Sequence, residues 1–124
     1  MMVALALQDA VYQALKTLAN GSVYYDVPQD APLPYIYFGD DDLSMDYDNG
    51  GDFVDATANV EIFAADKIAL KELVAQVIER LDTKLQIEGF DVMEWRVGLT
   101  SFRTMEDGMS QQASLEFDYL IQTA

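Results

Sequence analysis

Carboxylates are the only side chains abundant enough in this sequence to do chemistry. The 124 residues hold 22 Asp and Glu against 7 Lys and Arg, with neither histidine nor cysteine. Without histidine the chain lacks the commonest general base and the commonest metal ligand. Ser–His and Cys–His nucleophile systems are excluded with it. Without cysteine there is no disulfide, no thiolate nucleophile and no thiolate metal site. What remains is carboxylate-only catalysis of the glycosidase kind and oxygen-ligand binding of a hard cation. A chain this short offers no evident cleft for a polymer substrate. No catalytic residue is assigned, and an enzyme is not expected.

The best cation candidate is Asp46-Tyr47-Asp48-Asn49-Gly50-Gly51-Asp52, which superficially resembles an EF-hand loop. Counting from Asp46, the fifth position is Gly50, where Asp or Asn is needed. The twelfth is Thr57, where a bidentate Glu is needed. The match fails, and the sequence gives no flanking helices. A loose divalent-ion site among Asp40, Asp41, Asp42, Asp46, Asp48 and Asp52 is the residual possibility, although such a run is ordinarily a solvated loop. Gly50-Gly51 lacks the following Lys-Ser/Thr of a phosphate-binding loop. Neither a metal nor a cofactor is expected.

This acidic segment, from Asp40 to Asp52, is longer than compact domains usually leave without structure. It also holds Leu43, Met45 and Tyr47, which a purely solvating loop does not need. Both features fit a loop that orders against a neighbouring subunit. The candidate interface or lumen residues are therefore Asp40, Asp41, Asp42, Leu43, Met45, Asp46, Tyr47, Asp48 and Asp52.

A net charge of −15 disfavours nucleic-acid binding, because that affinity comes from cationic side chains displacing counter-ions. A surface past which DNA slides without specific binding is compatible with it. The plain alternative is that acidity serves solubility.

The elements around the loop follow from periodicity. Half the residues are apolar, so a real core is expected, and the length suits one domain spanning residues 1–124. No apolar run is long enough to span a bilayer. The opening Met1-Met2-Val3-Ala4-Leu5-Ala6-Leu7 lacks a basic leader and passes into Gln8-Asp9. It reads as the start of a helix in an unprocessed cytosolic product. That helix is expected over Val3 to Ala19 and is ended by Asn20-Gly21. A short strand follows within Ser22 to Asp26. Pro28, Pro32 and Pro34 then make an extended connector, and Tyr35 to Gly39 is strand-like.

Phe53 to Ala64 alternates cleanly, with Val54, Ala56, Ala58, Val60 and Ile62 on one face. Asp66 caps a helix running to about Lys84, with Leu70, Leu73, Val74, Val77, Ile78 and Leu81 on its apolar face. Two last strands are expected over Val92 to Arg103 and Gln111 to Gln122, joined through Asp107-Gly108. The first would place Met93, Trp95, Val97 and Leu99 on one face. The second would place Ala113, Leu115, Phe117, Tyr119 and Ile121 on one face. The order is α-β-β-β-α-β-β. The fold class is α+β, a single largely antiparallel sheet of about four or five strands with both helices packed on one face.

Val23-Tyr24-Tyr25-Asp26-Val27-Pro28-Gln29-Asp30-Ala31-Pro32-Leu33-Pro34-Tyr35-Ile36-Tyr37-Phe38-Gly39 resembles the signature of the tail-completion, or tail-terminator, proteins of long-tailed bacteriophages and gene-transfer particles. The element order is similar along the whole chain, while the residue-level likeness is confined to this stretch. The resemblance implies a virion structural protein at the tail–head junction, assembled in the bacterial host cytoplasm. It implies a hexameric ring that caps the tail tube, ends tail polymerisation and joins the head connector or neck protein. DNA would pass through without specific binding, and no membrane is involved. The family has no catalytic residues to carry over. Pro28, Pro32, Pro34 and Tyr35 are read as structural, setting the path of the connector. The competing reading is an acidic binding module or DNA mimic that inhibits a host nucleic-acid enzyme. A mimic needs carboxylates spread over one face, whereas here the densest run is a loop between strands.

Overall fold

The computed structural model describes residues 2–45 and 52–123. Asp46, Tyr47 and Asp48 of the acidic segment lie outside the described residues. The elements are α1 (Val3–Leu15), a short 3-10 turn (Ala19–Gly21), β1 (Val23–Tyr24), β2 (Tyr35–Phe38), β3 (Asp42–Met45), β4 (Phe53–Ala64), α2 (Lys67–Leu81), β5 (Asp91–Thr104) and β6 (Gln111–Gln122). The class is α+β, as the sequence leads one to expect.

β4 and β6 form the spine of the sheet. Twelve residues of each pair in antiparallel register, from Phe53 opposite Gln122 to Ala64 opposite Gln111. Because side chains alternate along a strand, one face of this ribbon is wholly apolar. Val54, Ala56, Ala58, Val60 and Ile62 from β4 meet Ala113, Leu115, Phe117, Tyr119 and Ile121 from β6, and all ten are buried. The short alanines of β4 leave room for the larger side chains that descend from the helices. α2 lays Leu70, Leu73, Val74, Val77 and Leu81 on this face, and α1 adds Ala6, Leu7, Ala10, Val11 and Leu15.

Caps and pins fix the helices. Asp66 accepts a 2.8 Å hydrogen bond from the Ala69 N–H at the start of α2, a contact worth about 1 kcal/mol. Arg80, in the last turn of α2, donates to the Ala14 carbonyl at 3.0 Å and to Thr17 Oγ1 at 3.2 Å. It thus satisfies a carbonyl that the end of α1 leaves open. The Tyr119 hydroxyl donates to the Leu81 carbonyl at 2.5 Å, tying β6 to the last residue of α2.

At four points the structure corrects or extends these expectations. First, α1 stops at Leu15 rather than near Ala19: Leu18 is already extended (φ −82°, ψ 164°), and Ala19, Asn20 and Gly21 all take positive φ (50°, 55° and 85°), which a right-handed helix cannot include. Second, the sheet has six strands. The extra one is β3, inside the segment expected to be a loop. It pairs antiparallel with the first half of β4, Asp42 opposite Thr57 and Met45 opposite Val54, on the same side where β2 pairs with the second half. Third, β1 runs parallel to β2, because the proline connector carries the chain back to its starting end before β2 begins.

Fourth, Met93, Trp95, Val97 and Leu99 do not share a face. Irregularities in the pairing between Val92 and Glu94 and between Val97 and Leu99 insert an extra residue each time and reverse the alternation. Trp95 and Val97 lie opposite the inward-facing Tyr119 and Phe117, whereas Leu99 lies opposite the outward-facing Glu116.

Candidate functional site

The strand order is β1-β2-β4-β6-β5, with β3 beside β4. Both helices sit on one face. The other face carries no helix and has a mixed polar surface. It is stitched across strands by side-chain hydrogen bonds. Arg103 Nε donates to Gln112 Oε1 at 2.6 Å, and Gln112 Nε2 donates to Glu61 Oε2 at 2.9 Å. Ser114 Oγ reaches the same Glu61 oxygen at 2.5 Å. Further along, Asp118 accepts from Thr57 Oγ1 at 2.8 Å and pairs with Arg96 Nε at 3.2 Å. An aromatic group closes one end, where Tyr35 stacks on Phe63 at 4.7 Å between centroids and Tyr24 stands 6.2 Å from Tyr35.

Asp40, Asp41 and Asp42 converge on one residue, Asn59. Asn59 of β4 donates from Nδ2 to the Asp40 carbonyl at 2.5 Å and to Asp42 Oδ2 at 3.2 Å. Its backbone N–H reaches Asp41 Oδ1 at 3.4 Å. The Tyr37 hydroxyl donates to Asp40 Oδ2 at 2.8 Å. Burial pushes the Asp41 carboxyl above the usual carboxylate range. The Asn59 N–H opposes this, and the neighbouring charges of Asp40 and Asp42 add to it. The Tyr37 hydroxyl is raised chiefly by its hydrogen bond to Asp40. These three aspartates therefore make the corner where β2 gives way to β3, and Leu43, Ser44 and Met45 follow as an exposed strand. Asp52 is separate from the corner, its carbonyl accepting from the Thr123 N–H at 2.8 Å.

Among the described residues no three carboxylates come together as a cation site. No buried side-chain polar atom among them lacks a partner, and no helix is long and apolar enough to cross a membrane. Pro28, Pro32 and Pro34 lie in the connector between β1 and β2, where the Pro28 carbonyl accepts from the Ala31 N–H at 3.2 Å. Tyr35 opens β2.

The residues that the sequence reading missed are at the opposite edge of the sheet. On β5, Leu99 is 56% exposed and Phe102 is 49% exposed. Lys71 Nζ of α2 lies 5.9 Å from the centre of the Phe102 ring, and Arg103 is next to it. The available signal was Gly98, since a glycine inside a strand pattern often marks a bulge. A bulge there moves Leu99, opposite Glu116, to the outer face and Phe102, opposite Ala113, to the helix face.

The comparisons agree with this architecture. A chain in the solved virion of a native gene transfer agent (GTA) particle superposes with a TM-score of 0.83 and 24% identity, over 97% of each chain. At that identity the likeness is one of fold. No curated protein matches by sequence. The family model described as "Tail completion protein gp17" matches residues 3–122, nearly the whole chain, and so this protein belongs to the tail completion family and is a structural component of the phage tail and virion.

Proposed function

We propose that the protein caps the tail tube as a ring, ends tail polymerisation and forms the surface that joins the head. The observation that carries this reading is the family match across residues 3–122. The geometry supports it in two ways. The sheet ends in two different strand edges, β5 on one side and β1 with β3 on the other. A subunit whose two sides differ is suited to head-to-tail closure rather than to a face-to-face dimer. The polar groups of the open sheet face are also largely engaged with one another, as the Asp118 and Glu61 networks illustrate. That favours a rigid assembly part over a site with free reactive groups.

The competing role of a DNA mimic is less well supported. Its carboxylates would need to stand free over one face. Here Glu61 and Asp118 are neutralised or hydrogen-bonded by partners on neighbouring strands, and Arg96 and Arg103 lie among them.

Immunogold labelling of parent particles with an antibody to this chain tests the placement. Gold confined to the head-proximal end of the tail is the expected result. Label along the whole tube, or at the distal tip, would overturn the proposal.

A further inference from the structure

The two edges of the sheet differ in shape and in charge. The first half of β5 is interrupted by both bulges. The second half, Leu99–Thr104, pairs with β6 in unbroken register from Glu116 to Gln111, so its outer edge is straight. No strand lies beyond it among the described residues. Natural proteins usually blunt such an edge with bulges, prolines or cover, because its free N–H and C=O groups are a template for another strand. The straight half carries neither a bulge nor a proline.

The straight half is flanked by cations. Arg103 is on the strand itself, and Lys67 and Lys71 reach toward it from α2. Together with Phe102 they line a cavity of about 380 Å³ between helix and strand. The other edge is the reverse in sign. Among the described residues β3 pairs only with β4, and it begins at Asp42, directly after Asp40 and Asp41. Its apolar side chains Leu43 and Met45 are 40% and 43% exposed. The sequence is divided in the same sense. Residues 1–66 hold twelve of the 22 acidic residues and one basic residue, Lys16, while the other six of the seven basic residues follow.

We infer that Leu99–Thr104 of one copy takes up Asp42–Met45 of a second copy of this chain, continuing the β-sheet from subunit to subunit. Pairing of β5 with β5 would set Arg103 and Lys71 against their own likeness, and β3 with β3 would bring two aspartate corners together. Only the unlike pairing places carboxylates beside cations while covering Leu99, Phe102, Leu43 and Met45. Because the two surfaces differ, each contact leaves one edge of each kind open, and the chain of contacts ends only when a ring closes. The inference rests on the ring reading and specifies which surfaces make it.

The protein has no cysteine, so introduced thiols report without background. Ser44→Cys and Ser101→Cys, combined in one chain, place thiols on exposed positions of the two edges. A short bis-maleimide spans a range of strand registers. The inference predicts a covalent ladder extending to the ring size. Ser44→Cys with Gln76→Cys, on the solvent side of α2, should show a loss of that ladder to monomer.

In parallel, Asp42→Lys and Arg103→Glu should each lose the ring, whereas an equimolar mixture restores it with alternating copies. That rescue separates lost contact from lost folding. Rings that form normally without the Ser44–Ser101 ladder, and in both charge variants, would overturn the inference while leaving the ring reading intact. A wild-type chain that stays monomeric at millimolar concentration, and also on purified tail tubes, would remove the ring reading and the inference with it.

Discussion

A Cβ placed on Gly98 would lie 2.6 Å from Asp118 Oδ2, so the bulge in β5 has room for the carboxylate only because residue 98 has no side chain. Asp118 is held in that position by Thr57 on one side and Arg96 on the other. Gly98 thus links β4, β6 and β5, and it marks the point after which the edge of β5 runs straight.

Gly98→Ala is expected to displace the Asp118 carboxylate and to cost about 1–3 kcal/mol, the usual range for overpacking a well-fitted site. The urea midpoint would fall accordingly. Combining it with Asp118→Ala, which removes the obstacle, should cost less than the two single changes added together. Strict additivity would show that the two residues do not meet.

Tyr119→Phe tests the tie between β6 and the end of α2. The hydroxyl is buried and donates to the Leu81 carbonyl, so its loss leaves that acceptor short of a partner and should cost about 1–3 kcal/mol. Burial raises the hydroxyl's pKa above its usual 10.0, and the Asp82 charge adds to the shift. The folded state therefore favours the neutral phenol. Its stabilising effect is fully present below the unfolded value and is lost as pH rises past 10.0. Wild type should destabilise in strong alkali, and Tyr119→Phe should lose that part of the dependence.

Asp41→Asn should have the opposite pH signature from an ordinary salt-bridged aspartate. The Asp41 carboxyl is raised in the folded state, first by burial and then by Asp40 and Asp42. Folding therefore favours its protonated form. That contribution is intact below 3.8, the ordinary value, and is lost as pH rises through the folded value. The Asn side chain keeps an oxygen for the Asn59 N–H. The variant should be more stable than wild type at pH 7 and indistinguishable from it near pH 3. An equal difference at both pH values would contradict the burial argument.

Most of the architecture was legible because β4, β6 and α2 bury one face each, and burial on one face writes a regular period into the sequence. The Asp66 cap and the apolar stripe from Leu70 to Leu81 are of that kind. β3 was not legible. Asp42–Met45 is exposed throughout, so its strand conformation owes nothing to an apolar pattern and everything to pairing with the half of β4 that β2 leaves free. β5 misled for a related reason. Its alternation crosses two bulges, and a one-residue slip transfers every later side chain to the other face. The acidic corner was identified as a group of residues, but the role of Asn59 in gathering it depends on a contact 17 to 19 positions away in sequence.

Assembly should respond to salt. In the proposed ring, neighbouring copies at −15 each repel one another, and screening shortens that repulsion to a Debye length of ~10 Å at 0.1 M salt. Moderate salt or Mg²⁺ is expected to shift sedimentation profiles from monomer toward the ring. Oligomerisation that is unchanged or weakened by Mg²⁺ would show that repulsion is not the barrier to closure.

The central claim, that this protein completes the tail where it meets the head, is tested most directly by electron microscopy of particles made after deleting its gene from the parent phage or prophage. The account predicts tails of aberrant length, or finished tails and filled heads that fail to join. Normal particles of normal tail length would contradict it.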